Sequence, residues 1–174
     1  MAYCSQTLTG ISLDCESSQG GVRKIYVANF GDVTSETETD GKLTAFTMKE
    51  STMFVRYDLR KNTAHMDSPM SVGDNGSRFW SNSVYVDLGK MTTAKRLEME
   101  SLTAGQLYVI VEDTNGTLWA LTTTKDDYVA ASAGNGGTGT ARTDANHYDL
   151  TLTVEATHLP IEVAREALAD IVAD

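Results

Sequence analysis

The run QLYVIVEDTNGTLWALTT, residues 106–123, constrains this chain more than any other stretch. Two β-rich segments meet at Asn115-Gly116, and Asn-Gly supplies the two positive-φ positions of a type I′ turn. The dipeptide predicts a tight hairpin and so antiparallel pairing. A second segment, HYDLTLTVEA at 147–156, alternates cleanly: Tyr148, Leu150, Leu152 and Val154 oppose His147, Asp149, Thr151 and Thr153. A period of two with one polar side predicts a strand buried on one face and wet on the other.

The same alternation predicts strands at 22–28, 43–48, 53–59 and 79–88. In 53–59, Met53, Val55, Tyr57 and Leu59 share a face opposite Phe54, Arg56 and Asp58. In 79–88, Trp80, Asn82, Val84, Val86 and Leu88 oppose Phe79, Ser81, Ser83, Tyr85 and Asp87. Between these two lies a long polar connection, Arg60 to Ser77. Uncovered loops of that length are uncommon in compact domains. An extended hairpin arm over about 53–88 is therefore expected. The acidic, turn-rich stretch 31–42 reads as a surface loop.

Helix signals are few. Residues 92–103 carry a Thr92 or Thr93 cap, good helix formers and Gly105 as a stop. Residues 160–174 read as a short amphipathic helix with Pro160 in its first turn. Ile161, Ala164, Leu168 and either Ile171 or Val172 would share its apolar side, packed on the domain or docked on a neighbour. The expected fold class is mainly β or α+β. Two packed antiparallel sheets, sandwich or barrel-like, would be flanked by one helix. The domain would span 1–159, with 160–174 as a helical tail.

Charge narrows the partners. The 174 residues carry 24 acids against 14 bases, a net charge of −10. Such a surface repels nucleic acid unless its bases cluster, and Arg23-Lys24, Arg60-Lys61 and Lys95-Arg96 are small, scattered pairs. Sequence-specific nucleic-acid readout is not expected, whereas passage of nucleic acid without adhesion is compatible. The start MAYCSQTLTG lacks a basic segment followed by an apolar one, and no apolar run approaches the ~18–20 residues of a membrane helix. Synthesis and retention in a cytoplasm, without a membrane anchor, are expected. Cys4 and Cys15 are then free thiols by default, with a disulfide left open.

Several short motifs carry the spacing of known chemistry without its context. Gly134-Asn135-Gly136-Gly137-Thr138-Gly139 has the spacing G-x-G-x-x-G of a dinucleotide loop. That loop needs a strand before it and a helix after it. Past Gly139 the chain reads as turn and then strand, so no helix N-terminus is there to hold a pyrophosphate. The run is expected to be a flexible loop between two β segments. EDTNG at 112–116 and GDNG at 73–76 lack the spaced ligands and closing Glu of a calcium loop and read as turns. His65, His147 and His158 show no metal-ligand spacing. No catalytic, cofactor or metal residue is expected.

The pattern Cys4, Leu13-Asp14-Cys15, Gly20-Gly21-Val22, Ile25-Tyr26-Val27-Ala28-Asn29 resembles small virion proteins of tailed phages of Bacteroidetes-type hosts. The later order is similar to phage tail tube subunits: strand, helix, LYVIVEDTNGTLWALTT, then GTGTARTDANHYDLTLT. The resemblance covers most of the chain and rests on no catalytic signature. It implies subunits that close into rings, hexameric in that family, and rings that stack into a tube conducting DNA. It implies an arm joining neighbouring rings, here 53–60 and 79–88 with the loop 61–78. Inter-subunit contacts are then expected at Met53, Val55, Tyr57, Asn62, His65, Met70, Trp80 and Tyr85, and in the glycine loop at Asn135, Gly136 and Thr138. Partners would be copies of itself, other tail or connector proteins, and passing DNA, in a virion tail. Two alternatives stand beside it. One is a head–tail connector, collar or capsid-decorating protein. The other is a small β-rich carbohydrate-binding module using Trp80 and Trp119.

Overall fold

The computed structural model describes residues 6–13 and 15–173. Cys4 lies outside them, and Cys15 is exposed. The strands are β1 (Val22–Asn29), β2 (Val33–Thr39), β3 (Lys42–Met48), β4 (Phe54–Asp58), β5 (His65–Asp67), β6 (Met70–Val72), β7 (Arg78–Asp87), β8 (Leu107–Asp113), β9 (Leu118–Ala120), β10 (Ala130–Gly137), β11 (His147–Ala156), β12 (Ile161–Val163) and β13 (Val172–Ala173). The helix α1 spans Thr93–Ala104. Mainly β architecture with two sheets and a helix is what the alternation predicted.

The large sheet runs β13-β4-β1-β8-β9-β12-β3-β2. Its centre explains the unbroken apolar run Leu107 to Val111. Strands β1 and β8 are buried on both faces, with Ile25 opposite Val111 and Tyr26 opposite Ile110. Ile25, Val27, Val109 and Val111 face the small sheet. Tyr26, Ala28, Tyr108 and Ile110 face a second core, inside the curl of the large sheet, with Leu43, Phe54, Leu118 and Val163. There Phe46, Phe54 and Tyr108 pack edge to face at 5.8–5.9 Å between centroids.

The small sheet runs β10-β11-β7, and β5 and β6 pair end to end along β7. Val84, Val86, Leu150, Leu152 and Val154 point from it into the first core. Helix α1 covers the open side of that core with Met99 and Leu102. It begins as expected, with Thr92 Oγ1 accepting from the Lys95 amide at 3.3 Å.

Five expectations need correction. First, residues 160–174 are not a helix. They form β12, a 3₁₀ turn at Arg165–Leu168, and β13. The apolar residues are buried all the same, with Val163 and Leu168 in the second core. Strand β12 fills the gap between β9 and β3, and β13 pairs with β4, so open ladder groups outcompeted a local preference for helix. Second, 31–42 is no loop: Val33–Thr39 is an edge strand paired with β3. Its threonines suit a strand and its acids suit an edge.

Third, the arm is differently built. Strand β4 belongs to the large sheet, paired with β1, whereas β7 belongs to the small one. The hairpin is β5 and β6 against β7, over 65–87, so much of the connection 61–78 is strand. Fourth, the glycine run is largely strand: β10 reaches Gly137, and Gly134 to Gly137 pair in register with β11. Fifth, the hairpin at 115–116 forms, but only Gly116 has positive φ, at 88°. Asp113 Oδ1 accepts from the Thr117 amide, which shapes a different turn. The paired positive φ values lie at Asp40 and Gly41, 50° and 77°, joining β2 to β3.

Candidate assembly surface

Alternation fixes what the small sheet shows to solvent. On β11 the outward positions are Asp149, Thr151, Thr153 and Glu155, and on β7 they are Phe79, Ser81, Ser83 and Tyr85, with Asp87 on the same side but buried. Registered pairs carry this face across the strands: Asp149 with Asp87, Thr151 with Tyr85, Thr153 with Ser83. Asn135 opposite Asp149 extends it onto β10, and His65 and Asp67 extend it onto β5. None of these positions is Lys or Arg. Hydroxyls bond across the face, as between Ser132 and Thr153 at 2.9 Å.

Carboxylates set the electrostatics. Burial first, then the charges of Asp149 and Asp87, hold the Tyr85 hydroxyl above its ordinary pKa. The histidines, scattered in sequence, each meet an aspartate. His147 Nδ1 lies 2.8 Å from Asp87, and its Nε2 lies 3.8 Å from Asp149. His65 lies 3.3 Å from Asp67 and stacks on Tyr85 at 5.3 Å. His158 Nε2 lies 2.7 Å from Asp126. Among the described residues no group of three His, Cys, Asp or Glu is placed to hold a metal.

Both edges of the small sheet are open within the described chain. At one edge, β10 is eight residues of Ala, Ser, Gly and Asn, with no charge or proline to block pairing. At the other edge lie β5 and β6, where Met70 and Val72 are about half exposed.

The glycine spacing has a packing cause. Gly134 and Gly136 sit two apart on the side of β10 that faces Leu150 and Tyr148. A Cβ at Gly136 would lie 2.8 Å from the Tyr148 ring, and one at Gly134 would lie 3.4 Å from Leu150 and 3.8 Å from Met99 of α1. These glycines let a ring and a helix approach the strand closely. Gly139, at φ 66°, turns the chain against Asp144, whose carboxylate accepts from the Thr140 and Ala141 amides at 2.7 Å. Those bonds lower the Asp144 pKa.

The expected contact residues do not form one patch. His65, Tyr85 and Asn135 share the polar face or its edges, while Gly136 points to its opposite side. Thr138 is exposed just past β10, and Met70 and the half-buried Trp80 pair at the base of the hairpin tip. Met53, Val55 and Tyr57 instead line a groove between β4 and α1, on the large sheet. Asn62, at φ 62°, sits in the turn after β4. Trp80 and Trp119 lie in different sheets, and the Trp119 ring N–H donates to Asp113 at 3.2 Å.

Sequence reasoning missed the Asp87–His147–Asp149 cluster. Its signal was present: His147 and Asp149 are two apart on one strand, and Asp87 falls on the partner strand. It also missed that Asn115 clips the N-terminal segment. Asn115 Oδ1 accepts from the Gln19 amide at 2.9 Å, and its Nδ2 donates to the Gln19 carbonyl at 3.0 Å. Compared with known proteins, the chain matches no family model, no curated protein and no solved structure.

Proposed function

We propose that this protein is a tail tube subunit of a tailed bacteriophage, closing into rings that stack around a DNA-conducting channel. The observation that carries the reading is the solvent face of the small sheet: hydroxyls, carboxylates and imidazoles with no Lys or Arg. A wall of that kind repels a polyanion and gives it no counterion-releasing contact, so DNA slides past it. The open edges supply the closure. Pairing β10 of one copy with the β5 and β6 edge of the next is a heterologous contact, which generates a ring when the rotation closes. Six copies give about 24 strands, roughly 115 Å around and 37 Å across at ~4.8 Å per strand. The net charge of −10 keeps the outside from holding DNA as well.

The test is assembly by the purified full-length chain. Sedimentation velocity and negative-stain microscopy across a concentration series should show rings with a central channel, then stacks. Asn135→Lys, which puts a charge on the exposed edge strand β10 without removing its bonds to β11, should weaken ring closure and leave a folded monomer. A strictly monomeric wild type at high concentration defeats the reading.

A further inference from the structure

Two apolar features of the chain are left without partners among the described residues. The first is the N-terminal arm. Past the Asn115 clip at Ser18 and Gln19, residues 6–13 carry Leu8, Ile11 and Leu13 at 90, 101 and 100% exposure. Isolated exposed leucines are ordinary, but three large aliphatic side chains this exposed within six residues are not. The second is the groove between β4 and α1, about 170 Å³, lined by Val27, Met53, Val55, Tyr57, Leu102 and Leu107. Met53 and Val55 are 51% and 45% exposed there. A cavity of ~150 Å³ takes one benzene, so this one has room for a branched aliphatic side chain.

We infer that the arm of one copy docks in the β4–α1 groove of a second copy, with Ile11 and its neighbouring leucines covering Val55 and Met53. Chemistry matches: residues 6–13, QTLTGISL, carry no charge, and the acid at the groove, Glu98, is already taken by the Tyr57 hydroxyl. Length alone would let the arm reach its own groove, and what points to a second copy is that the arm leaves that groove uncovered. The arm leaves at the Val22 end of β1, while the groove lies at the far end, by Val27 and Asn29. Within one chain both stay uncovered. Shifting a copy along the β1 direction brings one arm to the next groove. The arm, about eleven residues from the clip to Leu8, spans at most ~40 Å. That contact is heterologous and does not close on itself, so it links copies along an axis rather than around a ring. It rests on the self-assembly proposed above, and it assigns stacking to the arm instead of the 65–87 hairpin.

Two variants of the full chain test it. Leu8/Ile11/Leu13→Ser removes the arm's apolar side chains, and Met53/Val55→Asp spoils the groove. The first should melt like the wild type, since those side chains are exposed. Each alone should weaken axial association at least about tenfold. Mixed one to one, they restore a single contact, because one supplies an intact groove and the other an intact arm. Paired units without further stacking are expected. Benzoylphenylalanine at position 11 should cross-link between chains, distinguished by isotope labelling, to peptides 53–57 or 97–107. An arm variant that stacks like the wild type overturns the inference. So do cross-links confined to one chain or to β10. Failure of the two proposals is separable. Paired units without rings keep the arm contact and sink the tube, and rings whose stacking ignores the arm variant do the reverse.

Discussion

Substituting Gly136 and Gly137 by alanine, one at a time, separates packing from ligand binding as the cause of the glycine run. Neither residue has positive φ, so alanine is not strained by backbone conformation at either site. Each substitution gains about 0.4–1 kcal/mol by reducing unfolded-state entropy. At 136 the new Cβ lies 2.8 Å from both Cδ1 and Cε1 of Tyr148, about 0.7 Å inside ordinary carbon contact. The Tyr148 ring is half-buried, so it yields by shifting its neighbours, a cost of about 1–3 kcal/mol. The net loss is up to about 2.6 kcal/mol, centred near ~1.3 kcal/mol. At 137 the nearest atom is 3.8 Å away, so the gain stands undiminished. In a chain of this size, 1 kcal/mol moves the melting temperature by about 2–4 °C. Gly136→Ala should therefore melt roughly 3–5 °C lower than the wild type at the central value and at most ~10 °C lower, and Gly137→Ala about 1–4 °C higher. Urea unfolding with unchanged m-values checks both. Equal shifts, or a stabilised Gly136→Ala, would refute the packing argument.

Further predictions concern charge and pH. Tyr26, Tyr57 and Tyr108 each donate to a glutamate: Glu112, Glu98 and Glu36. Burial first, then those carboxylates, raise all three hydroxyls, Tyr26 to about 12. A raised tyrosine stabilises the fold fully below its unfolded value near 10, and that stability is lost as pH climbs through the folded value. Phenolate absorbance should thus show three tyrosines ionising only with alkaline unfolding, and three early ionisations would contradict it. Burial works against Asp126 ionisation, but hydrogen bonds from Thr123 and His158 outweigh it and leave its pKa lowered. Its contribution is present above about pH 4 and fades as pH falls through the lowered value. Asp126→Asn should flatten the stability profile below about pH 4, read by thermal melts. Arg165 reaches the buried Glu112 at 3.3 Å and the Gly116 carbonyl at 2.7 Å. Arg165→Ala should cost about 1–2 kcal/mol by chemical denaturation, discounted because Arg165 is itself exposed. Thr151→Lys with Thr153→Lys should leave the monomer's melt within ~0.5 kcal/mol yet make assembled protein retain DNA in a gel shift.

Alternation carried most of the fold. Strands 147–156 and 79–88 formed with the faces their periodicity assigned, and the Thr92 cap marked the helix start. What failed depended on partners distant in sequence. Nothing local in PIEVAREALADIVAD shows that β9, β3 and β4 have ladder positions to fill. Nothing local in the run 60–77 shows that β7 is long enough to pair with both β5 and β6. Asp40-Gly41 was legible as a hairpin turn, but the acids around it masked the strand. For the surface, composition gave the sign of the charge but not its placement. The cation-free face emerged only once register set β7 beside β11. The glycine run looked like a ligand loop because one spacing serves two ends, close approach to a phosphate and close approach to a tyrosine ring.

The most direct test of the central claim is a reconstruction of the assembled protein by electron cryomicroscopy. Asp149, Thr151, Thr153 and Glu155 should line the channel, with β10 of each copy hydrogen-bonded to β5 and β6 of the next. A ring that turns this face outward, or leaves β10 unpaired, would contradict the account.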